Sequence, residues 1–284
     1  MSERESKMET SNEELKSTVR EVYGKIAETG KSACCASTSC CGTTEFTFSE
    51  DYSSKKGYVP EADLGLGCGI PTDVAKIQPG ETVLDLGSGA GNDVFVARGL
   101  VGETGKVIGI DMTSAMIARA EVNKKKMGYE NVEFRLGEIE AMPVESNSID
   151  VAVSNCVLNL VPDKARAFAE LYRVLKPGGR FAVSDIVLSG TLPPAVKQAA
   201  EMYAGCVSGA LQQEEYLAVA RRVGFQEVTV KIERAMPLSD ELLSAYLSKE
   251  DILVYRQSGS TVKSITVHAV KPMCKCGERG DGCC

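Results

Sequence analysis

The chain is poor in several features that other functions require. It has no tryptophan and a single histidine, His268, so a reaction that needs a histidine base has one candidate. Its 32 Lys and Arg residues are outnumbered by 39 Asp and Glu, for a formal net charge of −7. Nucleic-acid and membrane-surface binders need a concentrated positive field, which this balance does not favour. We therefore expect no nucleic-acid or membrane partner.

The chain also has no long apolar segment. No run reaches the ~18 residues that a membrane-spanning helix needs, and the first residues, Met1–Lys7, are polar rather than a secretory signal. We expect a cytoplasmic protein. His268 falls on a predicted strand, and we expect its role to be structural.

Cysteine, in contrast, is abundant, with 11 residues in 284. An odd number without a secretory signal argues against a disulfide framework. Clustered thiols in a reducing compartment more often bind soft ions or carry out redox chemistry. The cysteines are Cys34, Cys35, Cys40, Cys41, Cys68, Cys156, Cys206, Cys274, Cys276, Cys283 and Cys284.

Hydrophobic periodicity predicts an α/β protein with a mostly parallel sheet and helices on both faces. From residue 82, apolar strands alternate with helices up to a helix at 164–175, a stop signal at 176–179 and a strand at 180–185. Further helices are predicted at 193–203, 213–223 and 239–247, and further strands at 227–232 and 264–270. We expect four parts. They are an N-terminal helix with a Cys-rich segment (1–70), a strand–helix domain (71–190), an insertion with the last strands (191–272), and a Cys-rich tail (273–284).

The first predicted strand, 82–86, ends in a glycine-rich turn, Gly87–Gly91. Such a turn lets the backbone approach a ligand closely. A dinucleotide fingerprint would have glycine where this chain has Asn92, and Asp85 would repel a pyrophosphate. Asp111 follows the second strand, where a carboxylate can accept both ribose hydroxyls. Two acids suit a cationic nucleoside such as S-adenosylmethionine, with Asp85 at its ammonium group.

Glu138 and Ile139 follow the third predicted strand and are expected to flank the adenine. The segments Val83–Gly89 and Leu175–Gly179 resemble two motifs of the class I S-adenosylmethionine-dependent methyltransferases, over about residues 75–235. The resemblance implies a Rossmann-like fold with a seven-stranded sheet, S-adenosylmethionine as cofactor and no catalytic metal. The expected cofactor-binding residues are Asp85, Gly87, Ser88, Gly89, Asn92, Asp111, Met112, Glu138, Ile139 and Asn155.

Three cysteines suggest what accepts the methyl group. Cys156 follows the fourth predicted strand, 149–154, at the edge of the sheet where ligands bind. Cys68 and Cys206 lie in glycine-containing loops that we expect to expose their side chains. Each alone is more often a buried small hydrophobe than a ligand, but together they favour binding of a soft ion. Arsenic(III) held by three thiolates keeps a lone pair that can attack a sulfonium methyl without a general base.

Four segments resemble the arsenite methyltransferases, namely 64–69, 110–113, 154–160 and 205–210, and the likeness covers most of residues 15–230. It implies that Cys68, Cys156 and Cys206 bind As(III). It also implies that an N-terminal cysteine, with Cys34 or Cys35 favoured over Cys40 and Cys41, pairs with Cys68 in a redox cycle. Thioredoxin or glutathione would then restore the thiols. The expected substrate is arsenite or its thiol conjugates, and the expected role is detoxification.

Two other functions remain open from the sequence. A C- or O-methyltransferase of a small molecule, with incidental cysteines, would keep its turnover after loss of the thiols. A non-catalytic, thiol-rich metalloid-binding protein would bind As(III) without forming a product. The cysteines of the tail suit either metal capture or a dispensable segment, and antimony is a possible alternative substrate.

Overall fold

The computed structural model describes residues 3–30, 50–191, 209–236, 243–244 and 247–273, with side chains from residue 12 onward. The helices are α1 (Glu3–Thr29), α2 (Pro71–Val74), α3 (Asn92–Val101), α4 (Ser114–Met127), α5 (Lys164–Val174), α6 (Gln213–Val223) and α7 (Lys249–Gln257). The strands are β1 (Thr82–Leu86), β2 (Lys106–Asp111), β3 (Val132–Leu136), β4 (Ile149–Asn155), β5 (Leu175–Ser189), β6 (Gln226–Met236) and β7 (Thr261–Val270).

The seven strands form one sheet in the order β3-β2-β1-β4-β5-β7-β6. Strands β1 to β5 pair in parallel, and β7 runs antiparallel to both β5 and β6. The central strand β1 is buried along nearly its whole length, as expected for a parallel strand covered on both faces. The predicted Rossmann-like, mostly parallel seven-stranded fold is confirmed.

Helices cover the two faces of this sheet and form separate cores. On one face, Phe95 of α3 and Ala120 of α4 pack against Val83 and Val107 of the strands. On the other face, Phe168 of α5 packs with Phe181, Tyr216 and Phe225. A third cluster lies at one end of the sheet and includes Val19, Cys68, Cys156 and Leu160. This third cluster contains two of the three thiols that the sequence analysis assigns to the substrate, Cys68 and Cys156.

Most predicted elements lie within a few residues of the observed ones, with two exceptions. The Leu175–Gly179 turn was expected to separate a helix from a strand that starts at residue 180. Strand β5 instead begins at Leu175, which pairs with Ile149, and a shift in register follows before Arg180 pairs with Val151. Helix α7 was missed because its exposed Leu253 and Val254 break the amphipathic pattern.

Several predictions lie outside the described residues. These are the helix expected from residue 193 to 203, most of the helix expected at 239–247, and the loop around Cys206. The N-terminal cysteines and the Cys-rich tail lie outside as well. Within the described ranges, no helix has both the length and the apolar character needed to cross a membrane.

Candidate active site

A cleft opens at the carboxyl ends of β1, β2 and β4. The neighbours of β1 in the sheet are β2 on one side and β4 on the other, so the strand order reverses at this point, where open α/β sheets bind their ligands. The cleft contains about 1180 Å³ of space, its open mouth included. The lining residues include all ten of the predicted cofactor-binding residues: Asp85, Gly87, Ser88, Gly89, Asn92, Asp111, Met112, Glu138, Ile139 and Asn155.

The glycine-rich turn forms the floor of the cleft between β1 and α3. Gly87 and Gly89 have φ of 69° and 51°, in the left-handed region that favours glycine. A Cβ on Gly87 would lie 2.5 Å from Val157 Cγ1, so this position admits no side chain. The Gly89 N–H donates to Asp111 Oδ2 at 3.0 Å. The turn therefore brings backbone close to the space where a ligand would lie.

The carboxyl groups in the cleft suit a cationic ligand. Burial raises the pKa of Asp85 well above its usual value, with Asp93 and Asp111 adding to the effect. Burial also raises the pKa of Asp111, although hydrogen bonds from Thr113 and Gly89 oppose the shift. A nearby cation would stabilise the ionised form of such a carboxyl group. The predicted contact between Asp85 and an ammonium group is consistent with this environment.

Two buried polar atoms in the turn also fit a ligand. Ser88 Oγ and Asn92 Oδ1 have no hydrogen-bond partner among the described residues. Buried polar atoms are normally satisfied, so groups of a polar cofactor are their natural partners. The residues of the cleft therefore fit S-adenosylmethionine, which is cationic at its sulfonium and ammonium groups and polar at its ribose and adenine.

The N-terminal helix forms one side of the cleft. Lys16 Nζ lies 2.7 Å from Glu138 Oε2 and 2.5 Å from Glu140 Oε2, and Arg20 also pairs with Glu138. The hydrogen bond from Lys16 lowers the pKa of Glu138. The carboxylate of Glu138 thus joins α1 to the loop after β3, a contact that sequence reasoning did not anticipate. Ile139 is buried beside it.

Two of the three predicted thiols meet at the cleft. Cys68 and Cys156 are joined by a disulfide, with their Cα atoms 5.9 Å apart. Cys156 directly follows β4 and has a left-handed backbone with φ of 59°, a conformation that non-glycine residues often adopt at functional sites. The structure thus brings together residues that are 88 positions apart in the chain.

The expected exposure of Cys68 was wrong. Its side chain is 1% exposed and that of Cys156 is 6% exposed, because both pack among apolar residues that include Val19 of α1 and Leu160. Cys156 still lines the cleft. Cys206, Cys34 and Cys35 lie outside the described residues, so their expected roles stay predictions. In the described part of the chain, the partner of Cys68 is Cys156.

Sequence reasoning missed two buried residues beside the thiols, Tyr52 and Asp93. Tyr52 Oη donates to Asp93 Oδ1 at 2.9 Å, and Asn155 Nδ2 lies 2.9 Å from Tyr52 Oη. Tyr52 is one of several aromatic residues in a polar stretch, with Phe48 and Tyr58 on either side of it. Asp93 lies in the first turn of α3, where acids are common for helix-dipole reasons. Neither residue lies in a sequence pattern that marks it as part of a functional site. His268 is buried on β7 opposite Ala182, outside the residues that line the cleft.

The sheet topology, the glycine-rich turn and the two acids together define a class I S-adenosylmethionine-dependent methyltransferase. A family model described as a methyltransferase domain matches residues 77–224. An arsenite methyltransferase of Halobacterium salinarum is 42% identical over 272 residues, 92% of this chain and 67% of that protein. Another, from Aquipseudomonas alcaligenes, is 32% identical over 91% of this chain and 74% of its own length.

A solved structure agrees with these relatives. An arsenic(III) S-adenosylmethionine methyltransferase from Chlamydomonas reinhardtii superposes with a TM-score of 0.62 at 38% identity, and the match covers 72% of this chain and 68% of that one. The chain belongs to the arsenite methyltransferase family. The resemblance predicted from the sequence motifs is confirmed.

Proposed function

We propose that this protein transfers methyl groups from S-adenosylmethionine to thiolate-bound As(III). The observation that carries the proposal is the position of Cys156, which lines the cleft together with the glycine-rich turn and is joined to Cys68. Two relatives that match about nine-tenths of this chain are named arsenite methyltransferases. Family membership therefore favours a metalloid acceptor over a carbon or oxygen acceptor, and an enzyme over a purely binding protein.

The residues of the cleft divide between cofactor and substrate. Asp111 would hold the ribose and Asp85 the ammonium group, with Ser88 and Asn92 completing the polar contacts. When bound, S-adenosylmethionine supplies a sulfonium methyl group that is open to attack by a lone pair. The apolar residues around the thiols, Val19 and Leu160 among them, would exclude water from the reacting atoms.

The thiols would both hold arsenic and return electrons to it. Cys68 and Cys156, together with Cys206, would bind As(III) as a pyramid that keeps its lone pair. Methyl transfer formally oxidises arsenic by two electrons. Two thiols return these electrons by closing a disulfide, either between Cys68 and Cys156, which are joined in the structure, or between Cys68 and Cys34 or Cys35. Thioredoxin or glutathione would reduce the disulfide again, which suits a cytoplasmic location.

Replacing Cys156 by serine tests this assignment. Cys156→Ser removes one sulfur ligand and leaves the cofactor residues in place, so we expect methylation of arsenite to be lost. The affinity for S-adenosylmethionine should stay within about twofold of the original value, since an oxygen replaces a sulfur of similar shape. The measurements are arsenic speciation after turnover and calorimetric titration of the cofactor.

Two outcomes would contradict the assignment. Turnover of arsenite that survives Cys156→Ser would make the thiol incidental to the reaction. A loss of cofactor binding in step with activity would make Cys156 a packing residue of the cleft.

A further inference from the structure

Two buried side chains and one partly buried side chain form a hydrogen-bonded cluster behind the thiols, and we call it the Tyr52–Asp93–Asn155 cluster. Asp93 accepts hydrogen bonds from Tyr52 Oη at 2.9 Å and from Asn155 Nδ2 at 3.1 Å. Tyr52 and Asp93 are both buried. Burial raises the pKa of Asp93 to about 6, against the hydrogen bonds from Asn155 and Tyr52 that lower it. The carboxyl group of Asp93 accepts both hydrogen bonds and so orients the two donors.

The cluster holds the turn that carries Cys68. Asn155 Oδ1 accepts from the Cys68 N–H at 3.0 Å, and Asn155 Nδ2 donates to the Gly69 carbonyl at 2.8 Å. Tyr52 Oη lies 3.0 Å from the same carbonyl. On the other side, Ser264 Oγ donates to the Cys68 carbonyl at 2.6 Å. The backbone on both sides of Cys68 is thus fixed by side chains rather than by the disulfide alone.

The close approach of this turn leaves no room for side chains. A Cβ on Gly67 would lie 2.6 Å from Asn155 Nδ2, and a Cβ on Gly69 would lie 2.5 Å from Ser184 Oγ. Asn155 directly precedes Cys156 in the chain, and the Cys156 N–H donates to the Ser184 carbonyl at 2.8 Å. One side chain, Asn155, therefore links the backbone of Cys68 to the residue next to Cys156.

Asp93 connects the same cluster to the cofactor turn. It is the second residue of α3, directly after the glycine-rich turn and Asn92. Because Asp93 is joined both to the glycine-rich turn and to the Cys68 turn, it also fixes the distance between the methyl donor and the acceptor. Such positioning supplies much of the rate of a transfer that needs no general base.

We propose that Tyr52, Asp93 and Asn155 are positioning residues for the arsenic-binding thiols. They keep the Cys68 turn against the end of β4 when the disulfide is open, so that Cys68 and Cys156 present a preformed pair of sulfurs to As(III). The role in arsenic binding rests on the function proposed above. The effect on the thiol pair itself is independent of that function, because it concerns only how readily the sulfurs of Cys68 and Cys156 meet.

Tyr52→Phe tests the proposal, since it removes one hydroxyl and keeps the ring. The first readout is the equilibrium of the Cys68–Cys156 pair in a glutathione buffer, in which the dithiol is oxidised to the disulfide as oxidised glutathione becomes two reduced glutathione molecules. Alkylation and peptide mapping report this pair separately from the other cysteines. We expect the equilibrium constant for disulfide formation to fall several-fold, because a Cys68 turn that is less restrained in the dithiol brings the two sulfurs together less often.

The second readout is kinetic. We expect the KM for arsenite to rise about tenfold, and the KM for S-adenosylmethionine to stay within about twofold. Tyr129→Phe is the matched control, because the Tyr129 ring packs on Phe95 and Arg98 on another part of the molecule. It should leave both readouts unchanged. Asp93→Asn is the second variant if Tyr52→Phe folds poorly, and it should shift the equilibrium in the same direction.

The two proposals fail separately. If the variants keep the equilibrium of the pair and the KM for arsenite within about twofold of the parent protein, while the parent methylates arsenite, the positioning role is wrong and the function stands. If the parent forms no methylated arsenic but Tyr52→Phe still shifts the equilibrium, the function is wrong and the positioning role stands. A fall in melting temperature with an unchanged equilibrium would show a structural role only.

Discussion

Single residues set the shape of the cleft, and Gly87 is the clearest case. Its φ of 69° suits glycine, and the nearest atoms to a Cβ there belong to Val157 at 2.5 Å. Val157 follows Cys156 in the chain and lines the cleft as well. A side chain at position 87 would therefore disturb the cofactor turn and the residue beside a thiol at the same time.

Gly87→Ala should lower the affinity for S-adenosylmethionine by at least about tenfold, because it adds a clash to a left-handed strain of ~1–2 kcal/mol. Gly128→Ala is the matched control. Gly128 has φ of 66° and nothing within 4 Å of a Cβ, so that variant has the strain without the clash. We expect it to lower stability and leave cofactor affinity unchanged. Equal cofactor affinity in the two variants, measured by calorimetry, would contradict the role given to Gly87.

At the scale of elements, α1 links the cofactor cleft to the thiols. Lys16 pairs with Glu138 and Glu140 on the loop after β3, and Val19, one turn further along, packs in the cluster that contains Cys68 and Cys156. The ion pairs of Lys16 are partly buried, which makes them stronger than exposed ones. Helix α1 thus forms one side of the cleft, where the ion pairs of Lys16 and the apolar packing of Val19 hold it in place.

Lys16→Met should weaken the contact between α1 and the loop after β3, since it leaves two neighbouring carboxylates without their shared cation. We expect S-adenosylmethionine to dissociate several-fold faster, and amide hydrogens of residues 12–29 to exchange faster. Lys25→Met is the control on the same helix, because the pair of Lys25 with Glu21 is largely exposed and contributes little. If the two variants behave alike in stopped-flow and hydrogen-exchange measurements, α1 does not hold the cleft closed through Lys16.

At the scale of the whole molecule, the sequence predicted the site residues at the ends of strands better than the residues that pack around them. The glycine turn, Asp85, Asp111 and Cys156 could be placed at the cleft because each lies at or directly after the end of a strand, and parallel strands bring their carboxyl ends to one edge of the sheet. Tyr52, Asp93 and Lys16 were missed because their roles depend on tertiary contacts between distant segments. Their residue types and spacing carry no local signal for those contacts.

The same reasoning explains the error at Cys68. A glycine-flanked cysteine predicts an exposed loop, yet packing of α1 and of the residues after β4 buries the side chain. No pattern within residues 64–69 reports which distant segment will cover them. The disulfide with Cys156 likewise joins positions 88 residues apart, and sequence spacing alone does not determine cysteine connectivity.

The most direct test of the central claim is a turnover assay on the full chain with methyl-labelled S-adenosylmethionine, arsenite and a thiol reductant, in which arsenic species are separated by chromatography and counted. The account predicts labelled methylarsenic species that form only when cofactor and reductant are both present, since the observed Cys68–Cys156 disulfide must open before the sulfurs can bind As(III). An absence of methylated arsenic from folded, reduced protein that binds the cofactor would contradict it.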